Sequence, residues 1–173
     1  MDSHFIISSD IIRYMNIHLS QVRIEQKEVL ASLLQLYLYE FSQFTNEEYN
    51  EKGVYTYKYF EQYWLENNRK PFFIISDNKI VGFVLINLDD PESSERGIHT
   101  ISEFFVAKIY RKQQIGTKAA ELAFNMYRGR WIIRELINNL GAQEFWHKVL
   151  ESYTSNSYKE KEDSGHIIQE FTN

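Results

Sequence analysis

Three cations, Arg111, Lys112 and Lys118, surround the start of one short segment in a chain of formal net charge -5. The run Arg111-Lys112-Gln113-Gln114-Ile115-Gly116 follows the apolar stretch Phe104-Phe105-Val106. It precedes Ala119, Leu122, Ala123, Met126 and Tyr127, which recur at helical spacing. This order predicts a strand, a cationic turn and a helix. The first N–H groups of a helix have no partner within it, and the helix dipole adds partial positive charge there. Such a helix start is an anion site, above all for phosphate. Gly116 lets a ligand approach the backbone closely. A second residue stands out on the strand before the turn. Glu103 interrupts an apolar run, and a lone carboxylate there is costly unless it is paired, solvated or functional.

The elements that position these residues can be read along the chain. Residues 1–19 fit a strand or a short helix around Ile6-Ile7 and Ile11-Ile12 and are set apart as an N-terminal extension, with one domain over residues 20–173. Val22-Arg23-Ile24-Glu25 alternates like a short strand. Leu30, Leu33, Leu34, Tyr37, Leu38 and Phe41 mark an amphipathic helix. A second helix is expected over 57–65. Strands are expected at 72–75 and 80–86, joined by the hairpin-type turn Ser76-Asp77-Asn78-Lys79. A loop over 89–97 leads to a strand over 101–106. Beyond the cationic turn and its helix come a strand at 131–136, a helix through Ala142, Phe145, Trp146, Val149 and Leu150, and a last strand at 166–171. The order β-α-α-β-β-β-α-β-α-β predicts an α/β fold with a mixed sheet.

Composition narrows the classes of function. The chain has 173 residues, 43% hydrophobic, 25% charged and 16% aromatic. That suits one globular domain with a well-filled core or a lined cleft. The net negative charge argues against a nucleic-acid-coating role. With no cysteine there is no disulfide, thiolate metal site or cysteine nucleophile. The histidines, His4, His18, His99, His147 and His166, lack metal-ligand spacing, so no metal is expected. No apolar run is long enough for a membrane span, and Met1-Asp2-Ser3-His4 does not open like a signal peptide, so the expectation is cytoplasmic with no membrane partner. Neither a Gly-x-Ser-x-Gly elbow nor a Walker A loop is present.

The turn Arg111-Lys112-Gln113-Gln114-Ile115-Gly116 resembles the Gln/Arg-x-x-Gly-x-Gly/Ala signature of the GCN5-related N-acetyltransferases (GNAT). One β-α step later, Asn139-Leu140-Gly141-Ala142-Gln143-Glu144-Phe145-Trp146 resembles that superfamily's Asn-x-x-Ala-x-x-Phe/Leu-Tyr element. The match covers about residues 100–150, and the combination is most similar to a small bacterial subgroup of acetyltransferases without a defined substrate. The resemblance implies a mostly antiparallel central sheet flanked by helices, with splayed strands forming a coenzyme A cleft.

It also implies roles. Acetyl-CoA is the co-substrate and a primary amine of a small molecule or peptide attacks its thioester directly. Backbone N–H groups of Lys112, Gln113, Gln114, Ile115, Gly116 and Thr117, with Arg111, hold the pyrophosphate. The pantetheine arm lies along Phe105 and Val106, where a main-chain N–H polarises the thioester carbonyl. Asn139 bonds the pantetheine amide or orders a nearby loop. Phe145 and Trp146 wall the thioester end, although their helical spacing equally suits plain core packing. Glu103 is the candidate base for the amine; pairing with a neighbouring cation is the alternative reading. His99 and Glu40 are weaker candidates. The acidic stretch 46–51 and the aromatic residues after it suit a cationic acceptor or a solvated loop.

Two departures from the signature bear on mechanism. Gln114 replaces a glycine, which a side chain tolerates if the local φ is negative. Trp146 stands where the superfamily often has a tyrosine acid, and an indole is no such proton donor. For the leaving thiolate, Tyr153 and Tyr158 follow the same helix and could approach. The second reading is therefore a coenzyme A-binding or interaction protein with weak or lost catalysis. Oligomeric state, a homodimer included, is left open.

Overall fold

The computed structural model describes residues 16–88 and 97–173. The readings made for residues 1–15, and for the loop over 89–97 apart from Gly97, lie outside the described residues. Seven strands form one sheet: β1 Ile17–Gln21, β2 Arg69–Ser76, β3 Lys79–Leu88, β4 Ile98–Val106, β5 Arg130–Leu136, β6 Lys159–Asp163 and β7 His166–Thr172. The helices are α1 Lys27–Thr45, α2 Gln62–Leu65, α3 Ile115–Met126 and α4 Leu140–Thr154. The sheet order is β1-β2-β3-β4-β5-β7-β6. Every pairing is antiparallel except β4 with β5. A chain leaving β4 and returning parallel to it needs a crossover, and α3 supplies it.

The turns follow from residue chemistry. Asp77 and Asn78 both take positive φ, 48° and 64°, as the two-residue turn between β2 and β3 requires. Ser164 and Gly165, φ 51° and 77°, do the same between β6 and β7. Helix α1 ends on Asn46 in the left-handed region, whose N–H returns to the Ser42 carbonyl at 2.8 Å.

Helices cover both faces. On one, Leu30, Leu34 and Leu38 of α1 pack on Phe73, Phe83, Leu85 and Phe105. Burying each leucine stabilises the fold by roughly 1.5–3 kcal/mol relative to exposure. On the other, Ala120, Ala123 and Phe124 of α3 and Trp146, Val149 and Leu150 of α4 pack on Val84, Ile86, Ile101, Trp131 and Ile133. Gly82 lies where β3 meets the end of β4. A Cβ there would sit 2.0 Å from the Phe105 carbonyl oxygen, so no side chain fits.

Several boundaries differ from the sequence expectation. Val22-Arg23-Ile24-Glu25 is not a strand; the chain pairs over Ile17–Gln21 and then makes a single 3-10 turn at Ile24–Gln26. Val22 is buried with its N–H on the Pro71 carbonyl, so the alternation there marks only one anchored residue. The helix expected over 57–65 shortens to Gln62–Leu65. Strand β6 was not expected. Its sequence, Lys-Glu-Lys-Glu-Asp, has no apolar face, and all five residues are exposed. Charges on an edge strand oppose pairing with another chain.

Candidate active site

Strands β4 and β5 pair only from Ile98 with Arg130 to Thr100 with Ile132. Both continue, β4 to Val106 and β5 to Leu136, so they part and leave an opening. A cleft of about 460 Å³ fills it. Its walls are residues 101–104 of β4, residues 133–136 of β5, Asn139, Ala142 and Trp146 at the start of α4, and Tyr37, Phe41 and Thr45 from α1. His166 closes one side.

A bulge in β4 decides what faces this opening. Leu85 pairs with Glu103 and Ile86 with Ile101, leaving Ser102 as an extra residue. Residues two apart on a strand normally share a face. The inserted Ser102 breaks that rule, as a bulge does. Ile101 packs with the α3 and α4 core, whereas Glu103 turns to the α1 side. There the Tyr37 hydroxyl donates to Glu103 Oε2 at 2.5 Å and the Tyr57 hydroxyl to Oε1 at 3.0 Å. Burial pushes the Glu103 carboxyl up from its ordinary range, and the two tyrosine bonds hold it back. Burial, then the nearby carboxylate, pushes both tyrosines up, so both stay protonated donors. The alternative of a cationic partner for Glu103 is not what the side chain has; its partners are two phenols.

The cationic turn lies past the far end of β4. After a 3-10 turn at Lys108–Tyr110, Lys112 and Gln114 take positive φ, 60° and 62°, before α3 begins. The condition of a negative φ at Gln114 is therefore not met. Gln114 adopts the left-handed conformation that a glycine would take there, at a cost in strain. The first bond within α3 runs from the Lys118 N–H to the Gln114 carbonyl at 3.0 Å. The N–H groups of Ile115, Gly116 and Thr117 thus precede the helix's own ladder. Ile115 is buried, and the residues 111–114 are exposed. Arg111 turns back to the fold: Nε donates to the Val106 carbonyl at 2.7 Å, and a terminal nitrogen to Glu40 on α1 at 2.7 Å. Lys118 lies 3.3 Å from Glu121, and the Gln113 side chain donates to the Ile109 carbonyl.

Gly116 serves packing as well as access. A Cβ on it would meet the Phe145 ring at 3.1 Å. That ring stacks on Phe104, centroids 5.5 Å apart, and Trp146 meets Phe104 edge-on at 5.3 Å. Trp146 thus joins the core and also lines the cleft. Asn139 caps α4, its Oδ1 accepting from the Ala142 N–H at 3.1 Å, and lines the cleft too. Phe105 and Val106 are buried, and the backbone edge of β4 beyond Thr100 has no β5 partner.

Other candidates lie elsewhere. His99 is buried beside Trp131 and Tyr127, bonded to the Arg128 carbonyl at 2.8 Å, and does not line the cleft. Glu40 is taken by Arg111 and Lys108. The Tyr153 hydroxyl donates to Asn125, and neither it nor Tyr158 lines the cleft. From the aromatic stretch after residue 46, Tyr57 reaches the site.

The sequence did not point to the hydroxyl of Tyr37 or to Glu135, and it offered Tyr57 only as one of the aromatic residues on the acceptor side. Tyr37 fits the apolar stripe of α1, and its hydroxyl carries no signal in the pattern. Glu135 ends an apolar strand just as Glu103 interrupts one, and that parallel was the available clue. Glu135 is 5% exposed and lines the cleft, yet neither carboxylate oxygen has a hydrogen-bond partner. Burial, then repulsion from Glu160, pushes its carboxyl up to about 8. Among the described residues no cluster of side chains suits a metal ion, and no helix is long and apolar enough to cross a membrane.

Known proteins share this architecture. The model of the Acetyltransferase (GNAT) family matches residues 32–151. Arabidopsis thaliana Naa50 in complex with the bisubstrate analogue CoA-Ac-MVNAL is 15% identical, at a TM-score of 0.60 over 91% of this chain and 99% of that one. A GNAT family acetyltransferase from Elizabethkingia anophelis with acetyl-CoA bound is 14% identical, TM-score 0.57, over 91% and 99%. An aminoglycoside acetyltransferase from an uncultured soil metagenomic sample, in complex with sisomicin, is 14% identical, TM-score 0.62, over 86% and 92%. At such identities the likeness is one of fold. No curated protein matches the chain.

Proposed function

The chain belongs to the acetyltransferase (GNAT) family, and on that premise we propose that it moves acetyl from acetyl-CoA to a primary amine of a small molecule or peptide. The observation that carries this reading is the cleft between the parted strands, with Glu103 held by two tyrosines on one side and the open start of α3 at the far end of β4. Relatives of the same fold bind acetyl-CoA, a peptide-bearing bisubstrate analogue and an aminoglycoside.

In this reading the pyrophosphate sits on the N–H groups of Ile115, Gly116 and Thr117, with Lys112, Gln113 and Gln114 beside it. The positive φ at Lys112 and Gln114 turns successive N–H groups of the turn toward the anion. Arg111 acts through the Val106 carbonyl and Glu40, holding the turn against the end of β4. The pantetheine arm follows the unpaired edge of β4 at Phe105 and Val106. A main-chain N–H there, freed by the parting of the strands, polarises the thioester carbonyl. Asn139 orders the start of α4 at the cleft, and Phe145 and Trp146 pack the wall behind the thioester.

An amine acceptor arrives protonated. Glu103 takes that proton, directly or through a water, and the free amine attacks the carbonyl carbon. The upward push on the Glu103 carboxyl suits a base working near neutrality, and the Tyr37 and Tyr57 hydroxyls orient its oxygens.

Trp146 at the tyrosine position favours a second reading, a coenzyme A-binding protein of weak catalysis. Two measurements separate them. A rise in melting temperature with acetyl-CoA is expected under both readings, because a ligand selective for the native state stabilises it. Thiol release from acetyl-CoA that depends on an added amine is expected only for the transferase. A panel spanning an aminoglycoside, a polyamine and a free peptide amino terminus tests it.

A further inference from the structure

The chemistry above leaves one proton unassigned. When the amine–carbon bond forms and the carbon–sulfur bond breaks, the electron pair goes to sulfur, and the thiolate leaves as such or takes a proton. The indole of Trp146 cannot give it.

Glu135 occupies the opposite side of the cleft from Glu103. On β5, Trp131 and Ile133 point into the α3 and α4 core, and Glu135 follows at the same spacing of two. It therefore shares the face of Trp146, whereas Glu103 sits on the face of Tyr37 and Tyr57. Both carboxylates and Trp146 line the same opening. A buried carboxylate without a hydrogen-bond partner is strongly disfavoured. A buried carboxylic acid is far less so, and it carries a proton with nowhere in the protein assigned to receive it.

We propose that Glu135 is the general acid of the transfer, giving its carboxyl proton to the coenzyme A sulfur as the carbon–sulfur bond breaks. The proposal rests on the transferase reading. The ammonium gives one proton to Glu103 before attack, the nitrogen of the tetrahedral intermediate gives a second to solvent as it collapses, and one proton reaches sulfur from Glu135. The products are the amide and the free thiol, and the two carboxyl groups return to their starting states by exchange with solvent. Amine and thiolate then enter and leave on opposite faces of the sheet. The upward push on the Glu135 carboxyl, to about 8, keeps it protonated at neutral pH. The titratable or charged groups around it are Glu160 on β6, Tyr158 before it, His147 on α4, His166 on β7, Arg134 on its own strand and Glu103 across the opening.

The test compares the unsubstituted protein with Glu135→Gln and Glu135→Met, using acetyl-CoA with the best amine of the panel and, separately, hydroxylamine. Hydroxylamine is uncharged at neutral pH and needs no base before it attacks. Both variants are expected to keep the acetyl-CoA-induced rise in melting temperature while kcat falls by about 10²-fold with either nucleophile. The decline of kcat above about pH 8 in the unsubstituted protein is expected to vanish in both variants. The apolar Glu135→Met leaves no buried polar group unpaired, so a shared loss reports the proton and not the fold. Full kcat in either variant, or an unchanged alkaline decline, overturns the role of Glu135 while the transferase stands. If the unsubstituted protein turns over no nucleophile, the transferase reading fails, and this role fails with it.

Discussion

The hydroxyl of Tyr37, on the first long helix, donates to the carboxylate of Glu103, on the fourth strand, at 2.5 Å. These residues are 66 positions apart, and the bond exists because Ser102 is an extra residue that turns Glu103 toward the helix. Tyr57 completes the pair of donors from a third segment. A carboxylate in an apolar strand is thereby kept ionisable at the edge of a cleft.

Removing those donors moves the titration of Glu103 in a defined direction. Their bonds favour the charged form, so Tyr37→Phe and Tyr57→Phe raise the Glu103 carboxyl further. As a base Glu103 works only when deprotonated. The acid limb of the kcat/KM profile against pH is therefore expected to move to higher pH in each variant, and further in the double variant. Glu103→Gln is expected to lower kcat/KM for the amine by about 10²–10⁴-fold.

Gly116 and Phe145 are expected to be coupled. A methyl at Gly116 meets the Phe145 ring at 3.1 Å, which costs little if the ring gives way, while the branched Gly116→Val cannot be absorbed. Gly116→Val is expected to destabilise by about 1–3 kcal/mol in denaturant unfolding. Combined with Phe145→Ala the cost is expected to be less than the sum of the single changes.

Gln114 holds a conformation that disfavours a side chain. Gln114→Gly is expected to raise stability by about 1 kcal/mol, since it relieves the left-handed penalty. Under the proposed binding through backbone N–H groups of the turn, it is expected to leave acetyl-CoA binding intact. Weaker binding by calorimetry would assign the amide side chain a direct contact.

Glu135 makes stability depend on pH with an unusual sign for a carboxyl group. Its folded value, about 8, lies above the ordinary 4.5, so between the two the native state binds more protons than the unfolded one. Stability contributed by the neutral carboxyl is present at low pH and is lost as pH rises from about 4.5 to about 8. Glu135→Gln removes that slope. The stability difference between variant and parent is expected to move in the variant's favour across this window, by about 4 kcal/mol between pH 4 and pH 8. Chemical unfolding at several pH values measures it.

Much of the fold was legible because burial imposes period. The α1 stripe, the β2–β3 hairpin with Asp77-Asn78 and the β4-turn-α3 unit all leave their mark in apolar spacing and turn residues. Strand β6 had no such mark, since its five residues are charged and exposed. The Ser164-Gly165 turn beside it was the readable sign. The bulge at Ser102 was invisible because one inserted residue changes no composition. Tyr37 was hidden for another reason: a phenol satisfies an apolar pattern while its hydroxyl does polar work. The φ of Gln114 was left as a condition by the sequence, because residue type alone does not set it; the turn into α3 places it in the left-handed region.

The parted strands and the start of α3 are proposed to form the acetyl-CoA site. Titrating acetyl-CoA into isotopically labelled protein, with backbone amide resonances followed by NMR, tests it most directly. Saturable shifts are predicted at Ile115, Gly116 and Thr117 and along Phe105 and Val106, with β6 unmoved. Saturation without shifts at those residues, or no shifts at any acetyl-CoA concentration, would contradict the account.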